Sequence, residues 1–150
     1  MNSIYDTITS DTQNRFGPRS RPRMRTLLPE ADHQRLQQHL QLCEHEGHPA
    51  WKLLAYVLRD KIMATEPAVN LHACDLVTGG CRVTYSVNGG ESETGLLIHR
   101  ARSGSGSGVV PVCSLLGATL IGMRAGQRAP LLCEDGTIES LAVLGVTPSN

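Results

Sequence analysis

Aromatic side chains are scarce in this chain: one Trp, one Phe and three Tyr, 3% of 150 residues. A core must therefore be assembled from Leu, Val, Ala and Ile, and a site that depends on an aromatic-lined pocket is disfavoured. No apolar run approaches the roughly 18 to 20 residues that span a bilayer, and the N-terminus lacks the apolar segment of a secretory signal. The expectation is a cytoplasmic protein without a membrane partner. The five cysteines, Cys43, Cys74, Cys81, Cys113 and Cys133, are odd in number, far apart and without a Cys-x-x-Cys pair. That argues against a disulfide framework and fits reduced thiols. Cys43, His45 and His48 lie close together beside Glu44 and Glu46, but they read as a solvated helix end, so neither a metal nor another cofactor is expected.

Net charge is zero but unevenly spread. Residues 1–28 carry Arg15, Arg19, Arg21, Arg23 and Arg25 against Asp6 and Asp11, while the remaining 122 residues hold nine basic and twelve acidic side chains. The segment "RFGPRSRPRMR" has too little apolar material to offset ordering entropy, and residues 1–28 read as a disordered basic leader. Its arginines could make weak contact with nucleic acid, although Phe16 is the lone aromatic available for stacking.

From Pro29 a helical period sets in. Pro29 suits a first helical position, Glu30 and Asp32 favour the positive end of a helix dipole, and Leu36, Leu40 and Cys43 share one face. "EGHP" breaks this helix near His45. Pro49 opens a second, with Trp51, Leu54, Leu58 and Ile62 along one side, and Pro67 is expected to close it. Residues 29–67 are thus expected to form an antiparallel helical hairpin, a short coiled coil.

After about Asn70 the pattern alternates. "CRVTYSV" (81–87) and "ETGLLIHR" (93–100) are strand-like, joined by "NGG", whose residues tolerate positive φ. "ARSGSGSG" is a loop and lacks the Gly-Lys-Ser/Thr of a phosphate-binding loop. "VVPV" (109–112) is a short strand whose Pro111 points to an edge. "LLCEDGTIESLAVLGV" reads as two strands around a turn at Glu134–Gly136. Between these strands Ser114 can cap a short helix with Leu115, Leu116, Thr119 and Leu120 on its apolar face, ended by Gly122 and followed by a turn at Arg124–Gly126. The fold class is α+β: helical hairpin first, then a mostly antiparallel sheet domain over residues 70–150 carrying one short helix.

"VPVCSLLGATLIGMRAGQ", preceded by "VTGGCRVTY" and followed by "EDGTIESLAVLGV", resembles the C-terminal domain of the GreA/GreB transcript cleavage factors. It is most similar to their relative Rnk, the regulator of nucleoside diphosphate kinase. The family pattern has an opening V-x-x-G-S-x-V, then S-P-[IV]-G-x-A-L-[IL]-G-x-x-x-G-[DQ] and a final hairpin. Val77, Gly80, Val83, Ser114, Leu116, Gly117, Leu120, Gly122 and Gly126 match it. Leu115 stands where the family usually has Pro, Cys81 where it often has Ser, and Ala129–Leu131 where an aromatic residue is common.

This resemblance implies an FKBP-like sheet domain that docks at the rim of the RNA polymerase secondary channel, with the hairpin pointing inward. In the cleavage factors, paired acidic residues at the tip of a long coiled coil help hold a catalytic metal. Glu44 and Glu46 occupy the corresponding hairpin tip, but a helix of about 17 residues reaches only about 25 Å at 1.5 Å per residue. The implied function is therefore a non-catalytic transcription regulator that competes with cleavage factors. The expected polymerase contact is the corner Cys113, Ser114, Leu115, Leu116 and Gly117, with Arg124 nearby; within it Ser114 and Leu115 are expected to face out, and for Leu116 and Leu120 a place in the core is the preferred reading. Two rivals remain. A prolyl isomerase needs an aromatic pocket, yet Tyr85 is the single aromatic residue after position 70. A nucleic-acid-binding module would use the arginine leader, with the sheet domain as scaffold.

Overall fold

The end of the presumed leader is a strand. The computed structural model describes residues 25–46, 49–100 and 108–148, and in it Thr26–Pro29 (β1) pairs in parallel with Thr65–Ala68 (β2). Leu28 is fully buried there, so the leader as expected from the sequence extends at least three residues too far. Both strands escape a pattern reading for a physical reason. Four residues are too few to show a period of two, and each strand contains a proline, tolerated because a two-stranded sheet leaves its outer N–H positions unpaired. The second helix accordingly stops at Ala64 and not at Pro67. Arg15, Arg19, Arg21 and Arg23 lie outside the described residues; Arg25 stands 3.9 Å from Glu66 with both side chains over half exposed, an ion pair of little energetic weight.

A parallel pair needs a long crossover, and here the crossover is the helical pair α1 (Glu30–Glu46) and α2 (Pro49–Ala64). Glu30 and Asp32 occupy the first turn of α1, where carboxylates complement the helix dipole. His33 Nε2 lies 3.4 Å from the Ile62 carbonyl oxygen, so the start of α1 meets the end of α2. Leu36 and Cys43 from α1, and Leu54 and Leu58 from α2, are buried as their spacing requires.

The second sheet has the order β5-β4-β3-β7-β6, with β3 Arg82–Val87, β4 Glu93–Ile98, β5 Val109–Pro111, β6 Arg128–Leu132 and β7 Ile138–Thr147. All its pairings are antiparallel except β4 with β5. Pro111 ends an edge strand, as its missing N–H demands. The β3–β4 turn uses Asn88 at φ 54° and Gly89 at φ 72°. Val83 and Tyr85 on β3, Leu97 on β4, and Leu141 and Val143 on β7 alternate into one buried face. Helix α3 (Leu115–Leu120) interrupts the strands between β5 and β6 and packs on α2.

One continuous core joins the helical pair to the sheet: Leu36, Cys43 and Leu58 cluster with Val77, Leu97, Val112, Leu120 and Ile121. Each fully buried aliphatic side chain contributes about 1.5 to 3 kcal/mol, so helices and sheet stabilise each other. Among the described residues no helix is long and apolar enough to cross a membrane.

Candidate functional site

The β5–α3 corner is built on a serine. Ser114 has an extended backbone and caps α3: its Oγ accepts from the Gly117 N–H at 3.0 Å and donates to the Pro111 carbonyl at 2.6 Å. One hydroxyl thus satisfies an orphan helix N–H and closes the turn out of β5. Gly117 is buried where a side chain would have no room, since an ideal Cβ would lie 1.9 Å from the Pro111 carbonyl oxygen. Cys113, Leu115 and Leu116 are half-buried and pack against the core. Of the pair read as possible core, Leu120 is fully buried and Leu116 partly.

At the other end of α3, Lys61 of α2 donates to the Thr119 carbonyl at 2.8 Å. An ammonium there offsets the negative end of the helix. Desolvation lowers the Lys61 pKa to about 8, with Asp60 opposing it weakly. Arg124 is held by Asp75 at 2.7 Å, next to a bridge between Leu76 and Arg124. It lies in the same chain turn that follows α3 but has its own partner.

The C-terminal end of α1 is not free-standing. Cys43, one residue before Glu44, is buried in the core cluster against which Cys113 of the corner also packs. Burial, followed by the Cys113 sulfur and the Glu44 carboxylate, pushes the Cys43 thiol up to about 12. Glu44 is exposed and engaged by Arg59 at 2.6 Å, so its carboxylate is neutralised from within the chain. The side chain of Glu46, and Gly47 and His48, lie outside the described residues.

A second contact, between the first half of α1 and the end of β4, was not legible as a site. Asp32 Oδ1 accepts from His99 Nε2 at 2.6 Å and from the Gly79 N–H at 3.2 Å. The other nitrogen of His99 faces His39 Nε2 at 3.1 Å, and the two rings stack with centroids 5.3 Å apart. Asp32, Leu36, His39 and Cys43 follow the i, i+4, i+7, i+11 spacing of one helical face. Polar groups on an otherwise apolar stripe were the available signal; their partners, 47 to 67 residues away, were not.

His39 carries a pH consequence. Burial first, then the neighbouring His99 and Arg35, lower its pKa from 6.5 to about 4. Between these values the unfolded chain binds a proton that the folded protein refuses, so this contribution is complete above about pH 6.5 and is lost as pH falls toward 4. From pH 7 to pH 5 it should amount to about 1 kcal/mol after allowance for the half-exposed ring. Urea unfolding at the two pH values should show this loss in the parent and its disappearance in His39→Gln.

An open recess of about 500 Å³ at the β6–β7 edge is lined by Asn88, Arg128, Pro130, Ile138 and Glu139 among others, with no aromatic wall. Tyr85 is itself buried in the core. This is poor ground for proline recognition. Among the described residues no cluster of three or more His, Cys, Asp or Glu is placed to hold a metal ion.

No family model matches the chain, and no curated protein matches it in sequence. Solved structures do. A prokaryotic transcription elongation factor GreA/GreB from Nitrosomonas europaea aligns over 83% of this chain and 100% of its own, with 16% identity and a TM-score of 0.60. Gfh1 of Thermus aquaticus aligns over 83% of this chain and 99% of its own at 14% identity, with a TM-score of 0.41. Gfh1 of Thermus thermophilus, a GreA factor homologue, gives 0.38 at 16% identity over 83% of this chain and 100% of its own. The first likeness is one of fold; the Gfh1 superpositions are too loose to add to it.

Proposed function

We propose that this chain is a non-catalytic transcription regulator that binds RNA polymerase at the rim of the secondary channel and competes there with Gre-type cleavage factors. The observation that carries the reading is the shared fold: a GreA/GreB elongation factor aligns over 100% of its own length and 83% of this chain, with a TM-score of 0.60. We read the helical pair as a short antiparallel hairpin and the sheet domain as FKBP-like, the layout the sequence resemblance implies. Fold alone does not assign function; the motif around Ser114, Gly117, Gly122 and Gly126 is the second support.

Two features favour a regulator over a cleavage factor. The helices have 17 and 16 residues, about 25 Å of reach each. Glu44, the described member of the acidic pair, is tied to Arg59, whereas a carboxylate that recruits Mg²⁺ has to present free oxygens. On this reading Cys113, Ser114, Leu115, Leu116 and Arg124 form the polymerase-facing surface, the buried Gly117 and Ser114 shaping the corner and the partly exposed leucines making contact.

Titration of the protein against core RNA polymerase should give saturable binding that a Gre-type factor displaces, with no stimulation of transcript cleavage. Absence of binding at moderate salt would remove the function, and stimulated cleavage would remove its non-catalytic part.

A further inference from the structure

Two turns of α1 converge on one imidazole. Asp32 and His39 stand about 10 Å apart along the helix axis, and between them they take the two ring nitrogens of His99, the residue after β4. The side chains of Asp32 and His99 are each 11% exposed, and His39 is half-buried. The three groups fix one another's hydrogens. Asp32 accepts from His99 Nε2 at 2.6 Å, so in the neutral ring His99 Nδ1 is bare and accepts from His39 Nε2 at 3.1 Å. His39 is left with a lone pair on its own Nδ1. The other charged or titratable neighbours are Arg35, one turn earlier on α1, and the buried Cys81 thiol, which feels Asp32 from the sheet side. Among the described residues, Asp32 is the one carboxylate within ion-pairing distance of either ring.

This chain of donors accommodates one added proton and not two. A proton on His39 Nδ1 leaves both hydrogen bonds in place, and so does one on His99 Nδ1 once His39 exchanges its tautomer. With both rings charged, two N–H groups face each other with no lone pair between them, and the two cations repel across a poorly hydrated seam.

We propose that this cluster is an acid-operated clasp: protonation of both imidazoles parts His39 from His99 and lets the C-terminal half of α1 lift from the sheet domain, with the Asp32–His99 contact as its hinge. The hinge survives in acid because a charged imidazole is a better donor to a carboxylate than a neutral one. The Gly79 N–H, bound to the same Asp32 oxygen at 3.2 Å, stays covered with it. The part released runs from His39 to Cys43 and Glu44. The buried Cys43 opposes the motion, so the open form is a minority whose share grows as pH falls. Burial first, then the charges of His99 and Arg35, make the closed form resist a proton at His39, whereas an open ring takes it up freely. Falling pH therefore favours opening between about 6.5 and 4. This inference does not depend on the polymerase reading.

The test labels the full-length protein briefly with dithiodipyridine at pH 7 and pH 4.5 and counts modified thiols by peptide mass. Exposed Cys74 is the internal reference for the reagent's own pH dependence, and Cys81, buried on the sheet side, reports general unfolding. The ratio of Cys43 to Cys74 labelling should rise about tenfold in acid while Cys81 stays protected. The rise should be absent in His39→Gln, whose side-chain amide still donates to His99 but takes up no proton. If that variant does not fold, the imidazole nitrogen shifts of the parent decide, since Cys43 labelling must rise in step with protonation of the second ring. A rise that His39→Gln shares or that is out of step with that protonation, a ratio flat down to pH 4, or labelling of Cys81 together with Cys43 would overturn the proposal.

Discussion

Gly117→Ala is expected to cost about 3 to 5 kcal/mol or to prevent folding, read as a collapse of the urea midpoint at unchanged slope. A β-carbon at this position would lie 1.9 Å from the Pro111 carbonyl oxygen, 2.7 Å from its carbon and 2.8 Å from the Val112 Cα. All three atoms are backbone, so no rotamer change relieves the clash; α3 must move away from β5. Moving it breaks the Ser114 cap at 3.0 Å and pulls Leu120 and Ile121 out of fully buried positions. Alanine would otherwise favour the helix by about 1 kcal/mol, which makes the sign of the result informative. Gly126 is the control: its φ is +92° but nothing lies within 4 Å of the added carbon, so Gly126→Ala should cost only about 1 to 2 kcal/mol. Equal effects at the two positions would mean that helix and strand are not in contact as described.

Gly117 also shows where the sequence was readable. Ser114, Gly117, Gly122 and Gly126 act through local backbone geometry, and local geometry leaves a spacing that can be recognised. The cap, the helix of six residues and the positive φ of 87° at Gly122 all follow from it. The two helices and the longer strands of the larger sheet were legible for the same reason, since each presents a period of 3.6 or 2 over enough residues, whereas β5, three residues long, was read from its valines and its edge proline. What stayed hidden was long-range pairing. β1 and β2 are recognisable mainly because each covers the other, and Thr26 meets Thr65 across 39 positions of sequence. The seat of α1 is hidden likewise: its spacing puts Leu36 and Cys43 on one apolar face, and both are buried, but nothing local says that this face joins the same core as Val112 and Leu120. A helix face that is apolar except for Asp32 and His39 signals that polar partners exist without saying which.

Those partners make the second large effect. Asp32→Ala is expected to destabilise the protein by about 2 to 4 kcal/mol, because it strands two donors at once. Asp32 is 8% exposed, and its Oδ1 alone receives His99 Nε2 at 2.6 Å and the Gly79 N–H at 3.2 Å. Gly79 is there for approach: a β-carbon would come within 2.7 Å of both Asp32 Oδ1 and the His99 ring. With the carboxylate gone, neither donor has a replacement acceptor at that oxygen's position, and water can enter only by opening the seam between α1 and β4. Asp32→Asn should recover part of the loss, since an amide oxygen can still accept, but not the charge-assisted share. A double-mutant cycle with His99→Ala separates the pair from the general cost of truncation, and a coupling of about 1 to 2 kcal/mol is expected. Additive losses would show that Asp32 serves only the Gly79 N–H. A coupled loss would make His99 the polar link by which the helical pair is registered on the sheet, leaving the apolar core to supply the bulk of the affinity between them.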